Sequence, residues 1–291
     1  MNLAGLKKIS IVGVGLIGGS FGMAVKQAFP AVQITGIGRS AERLRAAQNL
    51  GAVDAILTDL EAGVRDADLV YVATPVGIEL DFIRRMAPAL KPGAVVTDAG
   101  STKARICRGA DGVPGMRFIG GHPMAGSESA GVESASPNLF CGAAYVVTPT
   151  EKTHPDDLIL MKRLAESLGA RAIELDPETH DRCAAVISHL PHLMAAALVS
   201  LVKERAGETP EILEMVAGSF RDMTRVAESS PELWRDIFIS NDACIKSAAA
   251  DFLNALTSGL NKICAGDAEG IRDWFKAAGE TRKSILPGSR D

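Results

Sequence analysis

Through roughly the first 175 residues, short β-branched and apolar runs alternate with stretches whose apolar positions recur every three or four residues. This alternation marks parallel strands joined by crossover helices. Strands are expected at residues 9–13, 33–37, 69–73, 94–98, 117–119, 143–148 and 171–175. Helices are expected at 17–28, 41–50, 78–89, 103–110 and 155–168. Beyond Pro177 the strand pattern stops. Segments 177–204, 210–217, 231–259 and 268–286 carry helical spacing, several opened by Pro or Ser as a first turn allows. The chain therefore reads as an α/β Rossmann-type doubly wound sheet over residues 1–176, followed by an all-α domain over residues 177–291. The helical half is rich in Ala, Leu and Met, which points to packing against a second copy, a homodimer formed through that domain.

Charge and cysteine usage narrow the possible partners. Acidic residues outnumber basic ones by 35 to 31, a net charge of −4. No broad basic surface then invites nucleic acid or an anionic membrane. An anionic substrate needs local Arg, Lys or helix N-termini instead. The five cysteines, Cys107, Cys141, Cys183, Cys244 and Cys264, are widely spaced with no CxxC pair. That spacing argues against a metal site or a disulfide framework and fits a reducing compartment. The start of the chain lacks a signal-peptide pattern, and the longest apolar run, residues 193–202, is short for a bilayer span. A soluble, cytoplasmic protein is expected.

The most informative local pattern is Ile9-Ser-Ile-Val-Gly13-Val-Gly15-Leu-Ile-Gly18-Gly19-Ser20. A strand, a glycine turn and a helix start follow one another without a break. Gly13 permits the tight turn, Gly15 lets a pyrophosphate approach, and Gly18 allows close helix–strand packing. The helix start at Leu16 and Ile17 offers free N–H groups to the phosphates. At the end of the second strand, where an acid would hold a ribose 2′-OH, the chain has Gly38-Arg39-Ser40. Arg39 and Ser40 suit a 2′-phosphate, which favours NADP over NAD. In the plainer reading Ser40 caps the next helix and Arg39 is solvated. Thr74 and Ser101 fall at the ends of the next two strands, where cofactor crevices form. Ser101 is equally a candidate N-cap.

Further along come Asp98-Ala-Gly-Ser-Thr-Lys103, Gly121-His-Pro-Met-Ala-Gly-Ser-Glu128, Ile187-Ser-His-Leu-Pro-His192, Phe220-Arg-Asp-Met-Thr-Arg-Val-Ala227 and Pro231-Glu-Leu-Trp-Arg-Asp236. With the glycine motif, these segments resemble the prephenate and arogenate dehydrogenase family of tyrosine biosynthesis, from Lys7 to about Leu286. The resemblance implies a Rossmann domain, a dimerising helical domain and an active site between them. It implies that His122 is the catalytic histidine and that Ser101 bridges it to nicotinamide and the substrate hydroxyl. It implies that Arg225 binds the ring carboxylate. By the same resemblance, His189, His192, Ser127 and Ser188 line the side-chain end of the substrate, and Trp234 is a pocket aromatic.

These residue types suit the chemistry. The substrate is a cyclohexadiene carrying a hydroxyl and a carboxylate on opposite ring carbons. Hydride leaves the carbinol carbon, the hydroxyl loses its proton, and carbon dioxide departs as the ring becomes aromatic. A neutral imidazole suits the base, and His122 is expected on a loop at the carboxyl end of the sheet. His189 and His192 are three apart on one helix, with Pro191 expected to bend it. They are equally readable as a satisfied core pair, and no further ligands give them metal-site spacing. Arg225 suits bidentate carboxylate binding, though helix arginines are often simply solvated. Glu128 and Asp222 are acidic candidates for recognising an arogenate ammonium. A β-hydroxyacid dehydrogenase or imine reductase would instead need Lys203, Lys246 or Lys262 at the nicotinamide. A non-catalytic NADP-sensing module would have no need of His122.

Overall fold

In the computed structural model, residues 3–126 and 131–286 are described. The first half runs β1 (Lys8–Val12), α1 (Leu16–Ala28), β2 (Gln33–Ile37), α2 (Ala41–Asn49), β3 (Ala55–Leu57) and α3 (Leu60–Val64). It continues through β4 (Leu69–Val72), α4 (Val76–Met86), β5 (Val95–Asp98), α5 (Ala104–Asp111), β6 (Phe118–Pro123), β7 (Ala144–Thr148), α6 (Pro155–Ser167) and β8 (Arg171–Glu174). The strands form one sheet in the order β3-β2-β1-β4-β5-β6-β7-β8. Pairing is parallel from β3 to β6, antiparallel between β6 and β7, and parallel again between β7 and β8. The chain reverses direction across the sheet after β3. The ends of β1 and β4 therefore flank the switch point where such sheets bind ligands.

Alternation along the central strands builds two cores, one on each face. Leu69 and Tyr71 join Ile9, Ile11 and Phe21 in one cluster, whereas Val70 and Val72 join Ile83, Met86 and Ile106 in the other. The Phe21 and Tyr71 rings stack with centroids 3.7 Å apart.

The rest is helical: α7 (Pro177–Ala184), a π-helical turn (Ala185–His189), α8 (Leu190–Ala206), α9 (Gly218–Thr224), α10 (Pro231–Ser240), α11 (Asp242–Cys264) and α12 (Ala268–Ile285). By internal contacts the chain divides into residues 1–242 and residues 243–291.

Several expectations need correction. β3 and α3 were not anticipated; three and five residues are too few to display a period. Segment 210–217 holds only a 3₁₀ turn, Pro210–Leu213, and the helix begins at Gly218. The expected helix 231–259 is broken at Asn241, which ends α10. The ten-residue apolar run lies within a continuous helix, Pro177–Ala206, that is long and apolar enough to cross a membrane by length and composition alone. That helix carries three fully or nearly fully buried polar side chains, His180, Asp181 and His189, whose hydrogen bonds, described below, tie it to the sheet domain.

Candidate active site

At the first turn, Gly13 has φ +92°, a left-handed conformation that favours glycine. A Cβ there would also lie 2.5 Å from the Ala73 carbonyl oxygen. At Gly18 a Cβ would lie 2.1 Å from the Gly13 carbonyl oxygen, so α1 packs directly on the turn. Gly15 is different: nothing lies within 4 Å of where its Cβ would be. The space over Gly15 is open beside the half-buried Leu16 and Ile17, whose turn begins α1. Thr74 follows β4, and its buried Oγ1 has no hydrogen-bond partner. A glycine turn with open room above it, the start of a 13-residue helix and an unpartnered buried hydroxyl fit a dinucleotide. At the end of β2, Arg39 is exposed, and the Ser40 hydroxyl caps α2 by accepting from the Arg43 N–H at 3.3 Å.

Behind β5 lies a buried charge cluster. The Lys103 ammonium pairs with Asp98, both fully buried, and donates to the Gly121 carbonyl at 2.8 Å. Asp98 also accepts from the N–H groups of Gly100 (2.9 Å) and Gly121 (3.1 Å). Burial, reinforced by Asp98, pushes Glu79 well above the usual carboxylate range. This cluster ties the loop carrying Ser101 to the strand carrying His122. Ser101 is not the cap of the next helix. Lys103 occupies that position, and Asp181 supplies the capping oxygens from 77 residues away, accepting from Lys103 N–H at 2.7 Å and Ala104 N–H at 2.9 Å.

His122 is not on a loop. It sits within β6, paired in register with Val146 of β7. The Gly120-Gly121 pair that reads as a turn is instead demanded by crowding in the sheet. A Cβ at Gly120 would lie 2.2 Å from Thr148 Oγ1, and one at Gly121 would lie 2.7 Å from the Asp98 carbonyl oxygen. The buried His122 ring faces the helix Pro177–Ala206, its Nδ1 2.8 Å from His180 Nε2. His180 Nδ1 is in turn 2.8 Å from Asp181 Oδ1. Burial first, then the nearby His180, Lys103 and His189, hold His122 well below its ordinary value. Burial alone would raise Asp181, but bonds from His180 and the Lys103 and Ala104 amides outweigh it and hold the carboxyl below its ordinary value.

The π-helical turn brings the remaining histidines in. Pro191 has no N–H to continue an α-helical ladder, and the Leu190 N–H instead bonds to the Ala185 carbonyl five residues back. His189 is fully buried, accepts at Nδ1 from Asn241 Nδ2 across 3.1 Å, and faces the Ser101 backbone. Asn241 Nδ2 also donates to the Asp181 carbonyl at 2.8 Å, so Asn241 is the donor to His189 Nδ1. Burial pushes His189 down to about 4. His192 Nδ1 donates to the Ser188 carbonyl at 2.9 Å, and its ring stacks on Trp234 with centroids 3.6 Å apart. Trp234 meets His189 edge-on at 6.0 Å.

The structure thus brings Ser101, His122, His189, His192, Ser188 and Trp234 into one neighbourhood. Arg225 is exposed on the 3₁₀ turn Arg225–Glu228, which packs on α8. Ser127 and Glu128 lie outside the described residues; Asp222 is exposed on α9. Among the described residues no group of three or more His, Cys, Asp or Glu side chains is placed to hold a metal ion. His180, Asp181 and Asn241 escaped the sequence reading. Their partners lie 52 to 78 residues away, and Glu178, Thr179 and Arg182 around them make His180 and Asp181 look like part of an ordinary polar first turn.

A dinucleotide turn at the switch point of a parallel sheet, with a buried imidazole on a nearby strand, defines a nicotinamide-dependent dehydrogenase. The nucleotide-binding domain of prephenate dehydrogenase matches residues 21–174, and its dimerization domain matches residues 176–277. The chain is 37% identical to prephenate dehydrogenase of Bacillus subtilis over 95% of its own length and 76% of that protein. It is 33% identical to cyclohexadienyl dehydrogenase of Zymomonas mobilis over 96% of both. Prephenate dehydrogenase of Aquifex aeolicus, solved with hydroxyphenyl propionate and NAD+, superposes with a TM-score of 0.91 at 34% identity, covering 97% of this chain and 99% of that one. Arogenate dehydrogenase of Synechocystis gives a TM-score of 0.84 at 30% identity, covering 96% and 100%. The chain belongs to the prephenate dehydrogenase family, the oxidoreductases of tyrosine biosynthesis.

Proposed function

We propose that the protein oxidatively decarboxylates prephenate, arogenate or both, with His122 as the base that takes the ring hydroxyl proton. The observation that carries this reading is the His122 ring itself: buried, uncharged and hydrogen-bonded through Nδ1, so that Nε2 remains for a substrate. Ser101 holds the hydroxyl and the cofactor together. Arg225 grips the ring carboxylate, and His189, His192, Ser127, Ser188 and Trp234 surround the side chain. His189 Nδ1 is engaged by Asn241, which orients the ring and leaves Nε2 on the side of the Ser101 backbone.

Gly13, Gly15, Leu16, Ile17, Gly18 and Thr74 would hold the dinucleotide, which supplies the hydride acceptor when bound. NADP is the proposed preference, because Arg39 stands exposed at the end of β2 where no carboxylate is present. The domain boundary is placed near Asp176, which caps α7 through the Thr179 N–H at 2.8 Å. The protein is proposed to be a soluble, cytoplasmic homodimer joined through its helices. Val186, Ile187, Met215, Met223 and Ile239 are all more than half exposed in the single chain, a cost that a second copy would remove.

The test is turnover. Purified protein is offered prephenate or arogenate with NAD or NADP and followed at the reduced-nicotinamide absorbance. His122→Ala is expected to bind NADP as the wild type does and to lose at least about a hundredfold in kcat. Near-wild-type turnover in that variant would remove the mechanism.

A further inference from the structure

The hydrogen bonds behind His122 set its protonation as well as its orientation. Asp181 accepts backbone N–H bonds on both oxygens, which favours the carboxylate. A carboxylate only accepts, so His180 Nδ1 is the donor in the 2.8 Å contact between them. Neutral His180 then presents a lone pair at Nε2, and His122 Nδ1, 2.8 Å away, donates to it. The other nitrogen of neutral His122, Nε2, is therefore a lone pair as well. A carboxylate two hydrogen bonds away thus selects the tautomer able to receive a proton.

We propose that His180 and Asp181 form a proton relay that takes up, and later returns, the proton His122 removes from the substrate hydroxyl. The proposal rests on the reading of His122 as the base. As the O–H bond breaks, its electron pair becomes the second bond of a ring carbonyl, and the carbinol hydrogen leaves as the hydride of the dehydrogenase reaction. The proton bonds to His122 Nε2, and the Nδ1 proton crosses to His180 Nε2. The positive charge then rests on an imidazolium held by Asp181, while His122, whose burial penalises charge, stays neutral. When the bond to the carboxylate breaks, its pair moves through the ring onto the carbonyl oxygen. That phenolate recovers the proton from His180 through His122, so none is gained or lost over the cycle. The titratable and charged groups facing the histidine pair are Asp181 from the same helix, His189 from the π-helical turn and Lys103 from the start of α5.

His180→Gln separates a relay from a prop. The amide can donate to Asp181 and accept from His122, keeping the tautomer, but it takes no proton. The expected result is a kcat at least about a hundredfold lower with KM within about threefold. The acidic limb of kcat/KM is expected to move, because the acceptor behind His122 is gone. Wild-type kcat with an unmoved limb, or a raised KM and lowered Tm with an unmoved limb, would overturn the relay. Should the variant fail to fold, ¹⁵N NMR of the ligand-free wild type decides. The His122 tautomer must carry its proton on Nδ1, and a proton on Nε2 overturns the proposal. His122→Ala is run alongside. If it keeps turnover, the base reading falls and the relay with it. If it is inactive while His180→Gln matches the wild type, the relay alone falls.

Discussion

Replacing Lys103 by Met tests how the site is held together. The substitution keeps the length of the side chain and removes its charge. In the folded protein the Lys103 and Asp98 side chains are both fully buried, so Asp98 would be left with two backbone N–H groups and no counter-charge. Removing one partner of a buried pair costs about 3–5 kcal/mol. In a unit the size of residues 1–242, each kcal/mol lowers Tm by about 2–4 °C, giving a fall of roughly 6–20 °C. Differential scanning calorimetry at neutral pH reads this directly. Adding Asp98→Asn removes the stranded charge, and the double variant is expected to recover at least about half of the loss, as coupled neighbours do. A single variant melting within about 2 °C of the wild type would refute the reasoning. Turnover should fall too, because the Lys103 ammonium holds the Gly121 carbonyl beside His122.

Acid should weaken the fold through the histidines before it reaches the carboxylates. His189 is pushed down to about 4 in the folded protein from 6.5, so the unfolded chain binds a proton the native state refuses. Stability is therefore lost as pH falls from about 6.5 toward 4, by roughly 3 kcal/mol in full, with His122 adding in the same direction. Asp181, held below its ordinary value, contributes stability that is present above about pH 4 and lost below it. Tm measured from pH 7.5 to 4.5 should fall less steeply in His189→Gln than in the wild type, and parallel slopes would exclude this origin. Arg39→Ala should raise the Kd for NADP at least about tenfold while leaving NAD within about twofold, read by fluorescence titration; equal effects would return Arg39 to the solvent. Arg225→Ala should raise the substrate KM by about 10–150-fold with a smaller change in kcat, and an unchanged KM would remove it from carboxylate binding.

What was legible in the sequence was what is local. The turn from β1 through Gly13 into α1 declares itself because strand, glycines and helix start are contiguous. The crossover pattern gave the parallel sheet for the same reason. Long-range demands overrode local signals elsewhere. Gly120 and Gly121 look like a turn, yet neighbouring strands and the Asp98 loop require them inside β6. Residues 231–259 look like one helix, yet Asn241 leaves the helical path and bonds Asp181 and His189. Ser101 looks like a cap, but the cap comes from Asp181. His122 was found because its segment carries the resemblance; His180, its partner at 2.8 Å, lies between the segments that carry it.

The wide turn at Ala185–His189 amounts to one surplus residue wound into an otherwise regular rod. Excising Val186 would let an ordinary helix form there with its two ends almost in phase, because four residues at about 100° each turn nearly as far as the five in the wide turn. A residue removed from the regular part of the rod between Leu190 and His192 would instead swing His192 by about 100° away from the indole of Trp234. A one-residue deletion should therefore be tolerated far better inside the wide turn than just beyond it.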